Sequence, residues 1–255
     1  MQSNEELFNI LRNARSRLLM FDFDGTLVDI APTPGSIKPS RDLGDLLNSL
    51  SKKTLTNVCV ISGRIISDLV NYLRDVKGIA LAGCHGAEIK IPGKRKILLA
   101  DQDKIQSLIT QLREYLKPFF NEPGIIIELK PFSLAMHFRL AEEQLKTRAK
   151  KEFIARAKKL NGNGDMEFLE GKMVLEFKPK YVNKGLAVKY ILKHFIPEKD
   201  SLCVYFGDDT TDLDAFAALP ERSIKVAVGE KITGKADYNI HSPEDLRNLI
   251  RRLVK

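Results

Sequence analysis

The strongest constraint in this chain is a rhythm: near both ends, short unbroken apolar runs alternate with segments of helical spacing. Leu18–Phe23 is one such run, with Asp22 near its end; Asn57–Ile61 and Ile79–Cys84 follow, and Leu202–Phe206 and Ile224–Val228 repeat the pattern towards the C-terminus. An apolar run without polar alternation suits a strand buried on both faces, and such strands occur in parallel sheets covered by helices. Between them, Asp42–Ser51, Ser62–Arg74, Gly185–Phe195, Thr210–Leu219 and Ser242–Leu253 read as helices, the last opened by Ser242 and Pro243. The pattern predicts an α/β core built on a parallel sheet.

The middle of the chain has a different rhythm. Asp103–Lys117 and Glu142–Lys159 are helix candidates, and each precedes a pair of short strands: Ile125–Lys130 with Phe132–Arg139, then Asp165–Glu170 with Met173–Phe177. The order α-β-β-α-β-β implies hairpins and an antiparallel sheet. We therefore expect an inserted domain at 97–180 and a core made of 1–96 plus 181–255.

Bulk properties narrow the function. The net charge is +8 over 255 residues, but the basic residues are scattered among acidic ones. No basic run interleaves with aromatics, so nucleic-acid binding is not expected. There is no run of eighteen apolar residues and no apolar N-terminal leader, so we expect no membrane span and a cytoplasmic location. Three cysteines without a CxxC pair read as buried, reduced thiols.

The chemistry sits at the ends of the predicted strands, where open parallel sheets bind ligands. Asp22-Phe23-Asp24-Gly25-Thr26 closes the first strand, and Gly25 permits a turn that brings both carboxylates to one pocket. Gly207-Asp208-Asp209-Thr210-Thr211-Asp212 follows Leu202–Phe206 in the same way. Three carboxylates facing two would repel unless a cation lies among them, and oxygen-only ligands favour Mg2+. Ser62-Gly63-Arg64 follows the second strand, where a hydroxyl and helix N-terminal amides could hold a phosphate. Lys184 opens the helix after the insert.

These four segments, in this order, resemble the motifs of the haloacid dehalogenase superfamily. The resemblance implies a Rossmann-like parallel-sheet core with an inserted α/β cap. It implies Asp22 as nucleophile, Asp24 as general acid and base, and Ser62 and Lys184 on the phosphoryl oxygens. Mg2+ would be held by Asp22, the backbone carbonyl of Asp24, and Asp208. Asp209 and Asp212 would orient Lys184 and bound water. On this reading Asp24 is kept protonated by crowding with other carboxylates.

Within the insert, Glu128 and Lys130 share a strand face. A turn at Pro131-Phe132 pairs Lys130 with Ser133 and puts His137 and Arg139 on that face; Lys172 and Glu176 share parity in the second hairpin. Ile127, Leu129, Leu134 and Phe138 would then pack on the helices. The alternation alone fits a solvated sheet face equally well. Glu128-Leu129-Lys130 with His137-Phe138-Arg139 is similar to a pattern of the trehalose-6-phosphate phosphatases, as are Ala82–Glu88 and Gly171–Glu176. That resemblance implies that Arg64, Glu128, Lys130, Arg139, Lys172 and Glu176 contact the sugar phosphate. It also implies a functional link to a trehalose-phosphate synthase. A monomer is expected. Competing expectations are a phosphatase for sucrose-phosphate, mannosylglycerate-phosphate or phosphoglycolate, a non-catalytic sugar-phosphate sensor, and a phosphotransferase such as a mutase.

Overall fold

The computed structural model describes residues 3–31, 33–37, 39, 42–74, 76–171 and 173–255. In chain order the elements are α1 (Asn4–Asn13), β1 (Arg17–Phe21), α2 (Leu43–Ser51), β2 (Thr56–Ile61), α3 (Ile66–Leu73), β3 (Ala80–Gly83), β4 (Glu88–Lys90) and β5 (Ile97–Leu98). There follow α4 (Gln102–Leu116), β6 (Ile126–Leu129), β7 (Leu134–His137), α5 (Glu143–Leu160), β8 (Met166–Gly171) and β9 (Val174–Pro179). The chain closes with α6 (Lys184–His194), β10 (Leu202–Gly207), α7 (Asp212–Ala218), β11 (Ile224–Val228), β12 (Tyr238–Ile240) and α8 (Pro243–Val254). Two compact units result: the first comprises Met1–Ala31, Ser36–Leu99 and Asn183–Lys255, the second Pro32–Gly35 and Ala100–Val182.

In the first unit, among the described residues, eight strands form one sheet in the order β12-β11-β10-β1-β2-β3-β4-β5. Pairing is parallel from β12 to β3 and antiparallel at β3–β4 and β4–β5. The two-residue period of each strand divides its apolar side chains between two cores. Leu19, Phe21, Val58, Val60, Val204 and Phe206 pack with residues of α1, α2, α3 and α8. Leu18, Met20, Cys59, Ile61, Cys203 and Tyr205 pack with residues of α6 and α7. Burial on both faces is why these runs carry no alternation. The chain runs outwards from β1 in both directions, so the loops after β1 and β10 share the crevice where strand order reverses.

In the second unit, among the described residues, four antiparallel strands are ordered β6-β7-β9-β8. Leu134 pairs with Phe177 and Phe177 with Phe168, and the Phe153 ring of α5 packs edge-on against Phe168 at 5.5 Å. On α4, Ile105, Ile109, Leu112 and Leu116 are buried at helical spacing. The opposite face carries Glu128, Lys130, Ser133, His137 and Glu176.

The structure departs from the sequence reading in several places. Helix α3 begins at Ile66, so Ser62-Gly63-Arg64 is a loop and not a helix start. Helix α1 leaves little trace in the sequence, because Leu7, Phe8 and Leu11 form a narrow stripe in a polar segment. Strands β4, β5 and β12, of two or three residues, are too short to show a period. Leu129 is 46% exposed on the edge strand β6 instead of packing on a helix. The sequence predicts unit breaks at 96/97 and 180/181. In the structure β5 pairs with β4 and Leu99 N–H donates to the Ala87 carbonyl at 2.7 Å, which carries the first unit on to Leu99. Among the described residues no helix is long and apolar enough to cross a membrane.

Candidate active site

The site of the first unit is built by the loops after β1 and β10. Asp22 is 3% exposed, and its N–H donates to the Phe206 carbonyl at 2.9 Å, which ties the two loops together. Gly25 turns the chain with φ +90°, and a Cβ there would lie 2.2 Å from Asp208 Oδ2. Only glycine allows this approach. Thr26, fully buried, donates its hydroxyl to Asp208 Oδ1 at 3.4 Å.

Lys184 is the first residue of α6, whose N-cap Asn183 accepts the Leu186 N–H at 3.0 Å. Asn183 thus does the capping an aspartate would do. The buried Lys184 ammonium donates to Asp22 Oδ1 at 2.6 Å and to Asp212 Oδ1 at 2.7 Å. Asp212 is in turn saturated: Oδ1 also accepts the Tyr205 hydroxyl at 2.8 Å, and Oδ2 accepts the N–H groups of Asp208 and Asp209 at 3.0 Å. Asp212 is therefore a brace that holds Lys184 and the loop after β10.

Carboxylate oxygens of Asp22, Asp208 and Asp212 all lie within 4.8 Å of one another. Three carboxylates against one ammonium leave an excess of negative charge in a poorly solvated place. Burial, reinforced by Asp212 and Asp208, pushes the Asp22 carboxyl well up, against the opposing pull of Lys184. Burial and then Asp212 push Asp208 up to about 7. For Lys184, burial works against the charge, but Asp212 and Asp22 outweigh it and hold the ammonium above its ordinary value. This donor set fits a hard divalent cation, with Asp22 and Asp208 as the carboxylates that Asp212's bonding pattern leaves for it.

Asp24 corrects the sequence reading. It is not held among the crowded carboxylates: Arg64 grips it with a two-point fork, Nε to Oδ2 at 2.7 Å and Nη2 to Oδ1 at 2.9 Å. The same guanidinium lies 5.1 Å from the centre of the Tyr72 ring. The carboxylates that crowd one another are Asp22, Asp208 and Asp212. Ser62 is 1% exposed, and its hydroxyl oxygen accepts the Arg64 N–H at 3.2 Å. Of the pair Asp209 and Asp212, Asp212 is the residue on Lys184, while Asp209 bonds Lys231 and Thr210, which hold its carboxyl low although burial alone would raise it.

In the second unit, Lys130 Nζ lies 3.3 Å from Glu176 Oε1 and 3.8 Å from Glu128 Oε2. Ser133 donates its hydroxyl to Glu176 Oε1, and His137 Nε2 lies 2.9 Å from Glu128 Oε2. Burial favours a raised Glu128 pKa, but His137 and Lys130 hold it below the ordinary value. Arg139 is half-buried just beyond β7. Lys172 lies outside the described residues.

A sequence model of the trehalose-phosphatase family matches residues 20–244. The chain belongs to the trehalose-phosphatase family. A bifunctional trehalose-6-phosphate synthase/phosphatase of Thermoproteus tenax is 33% identical over 257 residues, covering 98% of this chain and 34% of that protein. A trehalose-phosphatase of Schizosaccharomyces pombe is 31% identical over 263 residues, covering 98% and 32%. The chain thus spans about a third of the length of these curated relatives. The solved C-terminal domain of a C. albicans trehalose-6-phosphate phosphatase superposes with a TM-score of 0.80 at 27% identity, covering 99% of this chain and 97% of that one.

Family membership puts the remaining groups in context. Tyr205, Lys231 and Ser133 belong to these networks but were not picked out as site residues from the sequence. Tyr205 did leave a signal: its hydroxyl is the one polar side-chain group in the run Leu202–Phe206 apart from the Cys203 thiol, and a buried hydroxyl needs a partner. Lys231 and Ser133 left none. The three cysteines are buried, and burial pushes the Cys59 and Cys203 thiols up, away from thiolate chemistry.

Proposed function

We propose that this chain hydrolyses trehalose 6-phosphate to trehalose and inorganic phosphate. The observation that carries the reading is the buried Asp22–Lys184–Asp212 arrangement with Asp208 beside it, in a member of the trehalose-phosphatase family. Asp22 attacks phosphorus, forming an aspartyl-phosphate as the bond to the sugar oxygen breaks. Asp24 gives that oxygen a proton. The charge of the entering ester competes for Arg64, which frees Asp24 to carry the proton. Water then attacks the phosphorus of the aspartyl-phosphate, Asp24 takes its proton, and Asp22 is regenerated. Ser62 and Lys184 hold the phosphoryl oxygens, and Asp212 keeps Lys184 aimed. Asp22, Asp208 and the Asp24 carbonyl would hold Mg2+, which when bound would supply positive charge for the same oxygens.

Glu128, Lys130, Glu176, Arg139 and Lys172 are assigned to the sugar. The first three, with Ser133 and His137, interleave donors and acceptors on one sheet face, which suits a ligand rich in hydroxyls. A trehalose-phosphate synthase is the activity that would supply the substrate, and we place both in the cytoplasm. All the assigned groups come from one chain, so a monomer suffices.

The test is phosphate release with Mg2+ across trehalose 6-phosphate, sucrose 6-phosphate, mannosylglycerate phosphate and phosphoglycolate. Trehalose 6-phosphate should be turned over best. Equal or better turnover of another ester overturns the substrate, and transfer of phosphate to a second sugar without phosphate release overturns the hydrolase.

A further inference from the structure

Between β3 and β4, the residues Cys84, His85 and Gly86 take φ values of +49°, +55° and +104°. Three successive left-handed residues, two of them with side chains, are strained, and such a run persists only where its surroundings over-determine it. The surroundings are two segments already met in the site. Cys84 N–H donates to the Arg64 carbonyl at 2.7 Å and His85 N–H to the Ser62 carbonyl at 2.9 Å. The His85 imidazole lies against Gly63, where an added Cβ would be 2.6 Å from Nε2 and 2.7 Å from Cε1. On its other side, a Cβ on Gly86 would lie 2.9 Å from the Asn183 carbonyl oxygen and 3.1 Å from Ala187 Cβ, against the start of the helix that carries Lys184. Glu88, 2% exposed, adds a further point: its Oε1 accepts the N–H of Ile66, the first residue of α3, at 2.6 Å.

The segment 62–66 is therefore held by its two carbonyls, by the ring over Gly63 and by the N–H of Ile66. What it delivers is the Arg64 fork on Asp24. A turn needing only the left-handed backbone would be served by Gly or Asn. Histidine adds a ring, and the ring rests on the residue between Ser62 and Arg64.

We propose that His85 is a positioning residue: its ring seats the Ser62–Arg64 loop, and through Arg64 it sets where Asp24 stands for proton transfer to the leaving sugar oxygen. This rests on the hydrolase reading given above. It also gives the Ala82–Glu88 motif a part in the reaction although His85 need not touch the substrate.

The test compares esters that differ in their need for a proton. A sugar alkoxide leaves only with a proton from Asp24, whereas p-nitrophenolate leaves without one. His85→Gly and His85→Asn both tolerate the left-handed backbone, and thermal melts confirm that each is folded. Single-turnover experiments with Mg2+, which isolate the first bond cleavage, are run on trehalose 6-phosphate, glucose 6-phosphate and p-nitrophenyl phosphate. In both variants release of the sugar should slow by on the order of tenfold to a hundredfold. Release of p-nitrophenolate, which needs Ser62 but no proton, should slow by about tenfold less than release of the sugar. Equal slowing of the sugar and aryl esters, or slowing of neither, overturns the proposal. A wild-type chain that cleaves glucose 6-phosphate and the aryl ester but not trehalose 6-phosphate overturns the substrate alone, and the sugar-against-aryl contrast then still decides the role of His85.

Discussion

Lys184→Met isolates the electrostatics of the site. Methionine keeps the length and the apolar stem of lysine but removes the ammonium that Asp22 and Asp212 share at 2.6 and 2.7 Å. Lys184 is 3% exposed, so water cannot take its place. Removing one partner of a buried ion pair leaves an uncompensated charge and costs about 3–5 kcal/mol. For a domain of this size that is a fall in Tm of about 10 °C. The loss must also depend on pH. Lys184 pulls against the rise of the Asp22 carboxyl, so without it Asp22 sits higher still and the folded variant takes up a proton that the unfolded chain does not. Its deficit is therefore greatest where the unfolded carboxylates are ionised and shrinks as pH falls. Mg2+ should recover part of the deficit, because a cation among the same oxygens opposes the same repulsion. The chain has no tryptophan, so urea unfolding is followed by far-UV circular dichroism, with and without Mg2+. A deficit below about 1 kcal/mol would mean the ammonium is no counterion, since that is what an exposed pair is worth. A deficit of full size but indifferent to pH and Mg2+ would refute the electrostatic argument just as firmly, leaving only packing.

Three further outcomes follow from the same geometry. Tyr205→Phe removes one of the two bonds on Asp212 Oδ1, so urea unfolding should show a loss of about 1 kcal/mol and kinetics a lower kcat at unchanged KM; a stability equal to wild type would count against the brace. Gly25→Ala places a Cβ 2.2 Å from Asp208 Oδ2 at φ +90°, so both phosphate release and the Mg2+-dependent gain in Tm should be lost, and wild-type turnover in that variant would be incompatible with the close approach described. Asp208, with its pKa raised to about 7, gives a pH dependence: a raised carboxyl binds protons in the folded state that the unfolded chain has lost, so without metal its contribution to stability falls as pH rises from the ordinary carboxylate range through about 7 and is level above. The Tm gain on adding Mg2+ should therefore grow over that window, and a gain flat in pH would show that Asp208 does not compete for the cation.

The parallel core was legible because its physics is local. Strands buried on both faces must be apolar throughout, and the acids that end them, Asp22 and Asp208, stand out against such runs. The insert was legible for the same reason, since the pairing of Lys130 with Ser133 follows from a two-residue turn, and the Lys130 N–H does donate to the Ser133 carbonyl at 2.9 Å. What stayed hidden is decided by side-chain direction after the strand ends. Asp209 and Asp212 look equivalent in Gly207–Asp212. The first turn of α7 points Asp212 back at the N–H groups of Asp208 and Asp209, and Gly207 leaves room, since a Cβ there would lie 2.4 Å from Asp212 Cγ. Asp209, still in the loop, turns to Lys231, twenty-two residues away in sequence.

Asp24 shows the same limit in a form that matters for the chemistry. Five carboxylates at two adjoining strand ends invite the inference that they crowd one another. The crowding is real among Asp22, Asp208 and Asp212, whereas the Asp24 carboxylate meets Arg64, forty residues on. A carboxylate gripped at both oxygens has neither free to meet a leaving group. If Asp24 performs both proton transfers, the fork stations it beside the site until the entering phosphate, the anion suited to do so, draws the guanidinium away, and the proton is delivered from the place Arg64 set. Arg64→Lys, which keeps the charge but not the two-point fork, should then slow release of the sugar more than release of p-nitrophenolate.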